Sequence, residues 1–114
     1  LLGTPKIEKT APTSRLELQS PTDGVLVKER VGPDAEFLPK ESLSLVGWVR
    51  IDEPTEWGGI IGCMQDNGLA EFGFVLGYNK SAFQFGITST SARKLTYLAG
   101  KTKYELGKWY HIAG

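Results

Sequence analysis

Nowhere in this 114-residue chain do apolar side chains keep the i, i+3, i+4, i+7 spacing over three turns, so helix should be scarce. Alternation takes its place. Across Leu43-Ser44-Leu45-Val46-Gly47-Trp48-Val49-Arg50-Ile51 every odd position is apolar or Gly, which gives one face to a core. Asp52-Glu53-Pro54-Thr55-Glu56 then makes a turn, because Pro54 has no N–H for a central ladder and carboxylates favour water. Strands follow at Gly59 to Gln65, at Phe72 to Tyr78 after the break Asp66-Asn67-Gly68, and at Ala82 to Thr88 after Asn79-Lys80. Phe83, Phe85 and Ile87 share a face of the last of these. Lys94 to Leu98 and Lys108 to Ala113 continue the run, with Gly100 and Gly107 between them. Upstream, Leu16 and Leu18 alternate with Glu17 and Gln19, Pro21-Thr22-Asp23-Gly24 turns the chain, and Val25-Leu26-Val27 returns to form a hairpin. About eight short strands with turn signals at near-regular spacing predict an all-β fold, an antiparallel two-sheet β-sandwich with Leu45, Val49, Phe83 and Phe85 buried.

The first fourteen residues, with Pro5, Pro12 and three Thr, follow neither period and read as a linker. Residues 15–114 are then one domain, in which residues 28–41, carrying Gly32-Pro33-Asp34 and Pro39, form a long loop. Thirteen Lys and Arg balance thirteen Asp and Glu, so nothing draws the chain to nucleic acid or to an anionic membrane. No apolar run approaches the ~20 residues of a membrane helix, which argues against membrane insertion. The one cysteine, Cys63, forms no internal disulfide and no zinc site alone, and the one histidine, His111, excludes any site that needs two. The start lacks the cationic and apolar segments of a signal peptide and gives no targeting reading; it also has no initiator Met, and Trp109 to Gly114 reads as a strand in progress, so the expectation is an excerpt of a longer protein.

Ser42-Leu43-Ser44-Leu45-Val46-Gly47-Trp48-Val49-Arg50 resembles the strand written F-T-V-E-A-W-V-R in laminin-G-like, concanavalin A-type jelly-roll domains. Gly107-Lys108-Trp109-Tyr110-His111-Ile112-Ala113-Gly114 is similar to their later G-x-W-x-H-V-A strand, and Gly58 to Gly62 and Gly73 to Tyr78 match segments between. The resemblance covers about residues 15–114. Val46 and Gly47 depart from it, standing where the family usually has an acid and Ala. The family continues into T-Y-D/N-G and a further strand, which makes the implied jelly roll partial here. It also implies an accessory module of an exported protein, extracellular, on the cell surface or periplasmic, that binds glycan or protein, in some members with calcium.

Large aromatic residues beside turns are candidate platforms for a sugar ring, and Trp57, next to Gly58-Gly59, and Tyr78, at a hairpin end, are the two so placed. The alternative is that they pin loops. Trp48 and Trp109 lie inside strand patterns and read as core or sheet-face packing. Residues 51–79 hold Asp52, Glu53, Glu56, Asp66 and Glu71 with no Lys or Arg, which raises calcium. The two acidic turns sit at opposite ends of one strand, ~20 Å apart, so only Asp66, Asn67 and the Gly68 carbonyl gather as metal candidates, a polar turn being the alternative. No cofactor is required.

Catalysis finds little support. A glycosidase pair ~5–9.5 Å apart projects from alternate positions of a strand, whereas Pro54 puts Asp52, Glu53 and Glu56 in a turn. His111 and Cys63 have no neighbouring base or orienting group in sequence. Arg93, Lys94, Lys101, Lys103 and Lys108 either receive an anion or protect a sheet edge. Asn79-Lys80-Ser81 fits the N-glycosylation pattern. The expectation is a non-catalytic recognition or adhesion module for glycan or protein; the alternative is a structural accessory domain that orients a neighbouring hydrolase or other catalytic domain and has no ligand of its own.

Overall fold

The computed structural model describes the chain apart from residues 11, 12, 29, 30, 33, 90 and 92. Pro12, Pro33, Thr90 and Ala92, part of the linker and loop readings, therefore lie outside the described residues. No helix occurs among the described residues; the strands form antiparallel sheets of two, two and four. The chain divides into two compact units, residues 1–32 and 33–114.

In the first unit, β1 (Lys6–Thr10) pairs with β2 (Thr13–Glu17), so the segment read as linker contains a strand. Its only apolar residue is Ile7, too little for a periodic signal. Cross-strand pairing supplies the order, with Arg15 bonded to its register partner Glu8 at 2.6 Å. The hairpin expected over residues 15–27 is replaced by this one. The turn at Pro21 to Gly24 does form, but Gly24 bridges Leu2 rather than β2. Asp23 ties the unit together: Oδ1 accepts the Thr4 N–H at 2.9 Å, and Oδ2 accepts those of Gln19 at 2.9 Å and Ser20 at 3.2 Å. Those amides, Thr4 foremost, hold its carboxyl below the usual range. Gly3, at φ +65°, lies so close to Asp23 that a Cβ would strike its carboxylate.

The second unit is an antiparallel β-sandwich. β3 (Val46–Arg50) pairs with β8 (Trp109–Ala113), and the ladder runs on through two backbone hydrogen bonds between Leu45 and Gly114. The larger sheet is a meander, β4 (Trp57–Gln65), β5 (Phe72–Asn79), β6 (Ala82–Thr88) and β7 (Leu95–Lys103). Gly100, read as a break, lies inside β7. There a Cβ would sit 3.2 Å from the Phe83 carbonyl oxygen, next to the irregular register between Ala82 and Gln84.

The meander's two faces differ because bulky and small residues alternate along β5 and β6. One face stacks Ile61, Leu76, Phe85 and Leu98 in a cross-strand row, with Tyr78 beside Phe83 in the next. It meets the two-stranded sheet, where Phe83 packs on Tyr110 at 5.4 Å and Gly114 lies against the Phe85 ring. Buried apolar residues of this unit are Ile51, Val75, Leu76, Ala82, Leu95 and Ile112. Leu45, Val49, Phe83 and Phe85 face inward as alternation predicts but are half-buried. Trp48 and Trp109 point outward: Trp48 is 69% exposed and rests on His111 at 5.2 Å, and Arg50 lies over the Trp109 ring at 5.6 Å. Their place is therefore sheet-face packing rather than the core.

Candidate functional site

The meander's other face is built from two cross-strand rows, Gly59-Gly77-Gln84-Ala99 and Gly62-Val75-Gly86-Tyr97. Each row carries two glycines, so the surface is low in the middle. Gly77 is required by closeness, since a Cβ would lie 2.5 Å from the Gly58 carbonyl oxygen, and at Gly86 it would strike the Tyr97 ring at 2.8 Å.

A groove of about 320 Å³ lies on this floor, bordered by Trp57, Met64, Asp66, Val75, Tyr78, Gln84 and Tyr97 along with the glycines. That volume is at the small end of ligand cavities, ~300–1,000 Å³. Trp57 and Tyr97 rise from the sheet's two outer strands, three strand spacings or ~14 Å apart, yet their ring centroids are only 6.0 Å apart at an interplanar angle of 52°. The side chains lean inward over the glycine floor. A ring sandwiched between two aromatic faces needs ~3.5–4 Å on each side, so a flat ligand lies against one ring and not between both.

Tyr97 donates its hydroxyl to Asp66 Oδ2 at 2.8 Å. Burial, then that bond and the charges of Asp66 and Glu71, push the phenol up to about 12, so it stays protonated and keeps donating at neutral pH. Asp66 Oδ1 has no hydrogen-bond partner among the described residues. Gln84, on the floor, is 9% exposed, and its side-chain amide likewise has no partner among the described residues. Its amide oxygen and nitrogen are not sealed from solvent, so both are open to water or to a ligand in the groove.

Of the residues expected from sequence, Trp57 and Asp66 border the groove with their side chains, whereas Tyr78, at its edge, turns its ring to the face that meets the two-stranded sheet. Trp57 is 61% exposed, whereas Tyr78 is half-buried. The Tyr78 ring covers Gly58 and packs edge-on to Tyr104 at 5.9 Å, and its hydroxyl lies 3.3 Å from Thr55 Oγ1. Asn67 does not join them: its Oδ1 accepts the N–H groups of Leu69 at 3.2 Å and Ala70 at 3.1 Å, closing the turn. No group of three or more His, Cys, Asp and Glu side chains converges among the described residues. Elsewhere Asp52 pairs with Arg50 at 2.9 Å, Glu56 lies 3.6 Å from Lys80, and Lys108 holds Glu105 at 3.0 Å. Asn79 Oδ1 accepts from the N–H groups of Ser81 and Ala82 in a turn of its own.

Sequence reasoning missed Tyr97, Gln84, Met64 and Val75. Their signal was the small face, Gly73, Gly77 and Gly86 alternating with Phe74, Leu76 and Phe85, which marks a floor as clearly as the bulky residues mark a core. The second unit belongs to the all-β, antiparallel sandwich class. Comparison with protein families, with curated proteins and with solved structures finds no match to this chain.

Proposed function

We propose that the chain is a non-catalytic recognition module that binds a glycan in the groove of its glycine-rich face. The observation that carries this reading is the Trp57–Tyr97 pair leaning over a floor on which the Gln84 amide has no partner among the described residues. A sugar offers an apolar ring face for one aromatic and hydroxyls for Gln84 and Asp66. The resemblance to laminin-G-like domains adds the expected setting, an adhesion or accessory module of an exported protein, extracellular, at the cell surface or periplasmic. Calcium is not needed for this groove.

A second reading, a structural module that docks on a neighbouring domain, is favoured by the outward Val46 and Trp48 on the two-stranded sheet, 66% and 69% exposed. An oligosaccharide array probed with the 114-residue chain, with Trp57→Ala and with Trp48→Ala separates the two. Binding lost in Trp57→Ala and kept in Trp48→Ala supports the groove. Glycan binding indifferent to Trp57→Ala and Gln84→Leu, in variants with unchanged circular dichroism, refutes it.

A further inference from the structure

We infer that the groove selects a saccharide bearing a free, protonated amine over its N-acylated, neutral and acidic counterparts, through Asp66 and Gln84 beneath the Trp57–Tyr97 pair. This rests on the glycan reading above and adds the chemical class.

The charge distribution is one-sided. Among the described residues Asp66 is the one formal charge bordering the groove. Asp52, Glu53 and Glu56 lie at the far end of β4, where Asp52 and Glu56 have cationic neighbours, and Glu71 accepts the Leu95 N–H, so the charge a ligand meets in the groove is that of Asp66. A uronate or sulfate entering here meets a carboxylate with no cation to offset it. A protonated amine meets the reverse. Tyr97 holds one carboxylate oxygen of Asp66, leaving Oδ1 without a partner. On the floor, Gln84 presents a carbonyl oxygen that accepts a second ammonium N–H, while its NH₂ is a donor for an adjacent hydroxyl.

The aromatic pair adds to this. A cation is attracted to a ring face within ~6 Å of the centroid, and the Trp57 and Tyr97 centroids are 6.0 Å apart, so an ammonium in the open side of their angle lies within range of both. Trp57 and Tyr97 thus hold a sugar face and a cation with the same surfaces, which a neutral hexose uses only in part. N-acylation removes the charge and replaces a compact three-proton donor with a neutral planar amide.

The test is calorimetric titration of the chain with a glucosamine tetramer, its N-acetylated form, a neutral glucose tetramer and a galacturonate tetramer, at low and moderate salt. The glucosamine tetramer is expected to bind roughly tenfold more tightly than the N-acetylated and neutral ones, and the galacturonate least. Asp66→Asn should erase the preference, so that the glucosamine and neutral tetramers bind alike. Because Asp66 is exposed, salt should erode the preference as well. Equal or weaker binding of the glucosamine tetramer, with the neutral sugars still bound, overturns the selectivity and leaves the glycan reading standing. Binding of none of the four overturns both.

Discussion

Replacing Tyr97 with Phe keeps the ring over Gly86 and removes only the hydroxyl that Asp66 accepts at 2.8 Å. Two quantities follow. Each tenfold in proton affinity corresponds to about 1.4 kcal/mol, so raising the phenol from 10.0 to about 12 sets a ceiling near ~2.7 kcal/mol for its preference for the neutral form. The residue is 37% exposed, and water screens the Asp66 charge, so about 1 kcal/mol is the figure to expect. The sign is fixed by direction. A phenol whose folded value lies above its unfolded one contributes fully below pH 10, and that contribution is lost as pH rises through about 12. Urea unfolding of both proteins at neutral pH should show Tyr97→Phe less stable by about 1 kcal/mol, with the gap narrowing between pH 10 and 12. Ultraviolet titration of the folded proteins, wild type minus variant, isolates one phenol among four and should place it near 12. A difference spectrum titrating at the ordinary 10, with equal stability at neutral pH, would show that Tyr97 neither bonds Asp66 nor is held over the floor.

Asp23→Ala should loosen the first unit alone, exposing the Thr4, Gln19 and Ser20 amides to hydrogen exchange while the second unit's amides stay protected. Because the Asp23 carboxyl is held low, its contribution is present above 3.8 and fades as pH falls through the folded value, which an acid titration of Thr4 amide protection reads directly. Gly77→Ala places a Cβ 2.5 Å from a backbone oxygen of β4 and should cost about 1–3 kcal/mol by forcing those strands apart, whereas Gly59→Ala, 3.8 Å from a Val75 methyl, should be nearly neutral. Calcium should leave the melting midpoint unchanged, since Asn67 is committed to its turn; a rise of several degrees would mean that the turn opens to admit the ion. Trp48→Lys should lower any concentration-dependent association seen by sedimentation, as Trp48 is among the most exposed large apolar residues of the two-stranded sheet.

The meander was legible because β5 and β6 alternate without exception, Phe72, Phe74, Leu76 and Tyr78 against Gly73, Val75 and Gly77, then Phe83, Phe85 and Ile87 against Gln84 and Gly86. Alternation says which residues share a face but not which strands are neighbours. Tyr97 joins the groove only because β7 pairs with β6 in the register that sets it opposite Gly86, and an irregularity between Ala82 and Gln84 helps fix that register. Trp48 was ambiguous for a related reason. In Leu43 to Ile51 both parities contain large apolar residues, so the partner sheet decides which set is covered. β1 was invisible because its order comes from β2 and not from its own composition.

The pairing of β3 with β8 sets an order of events for folding. Val46 and Ala113 are register partners although the whole meander lies between them in sequence, whereas each meander pair is joined by a short connection. Closing the long loop from an unfolded chain carries an entropy cost with little local contact to offset it. Once β4 to β7 have zipped up hairpin by hairpin, the ends of β3 and β8 are brought toward each other and the remaining closure is short. On a ribosome β3 must therefore remain without its strand partner while about sixty further residues are made, with the inward-facing Leu45 and Val49 uncovered as well as the outward Val46 and Trp48. The slowest step of folding, and the one most open to capture by another chain, is then the arrival of Trp109 to Ala113 beside a strand made long before.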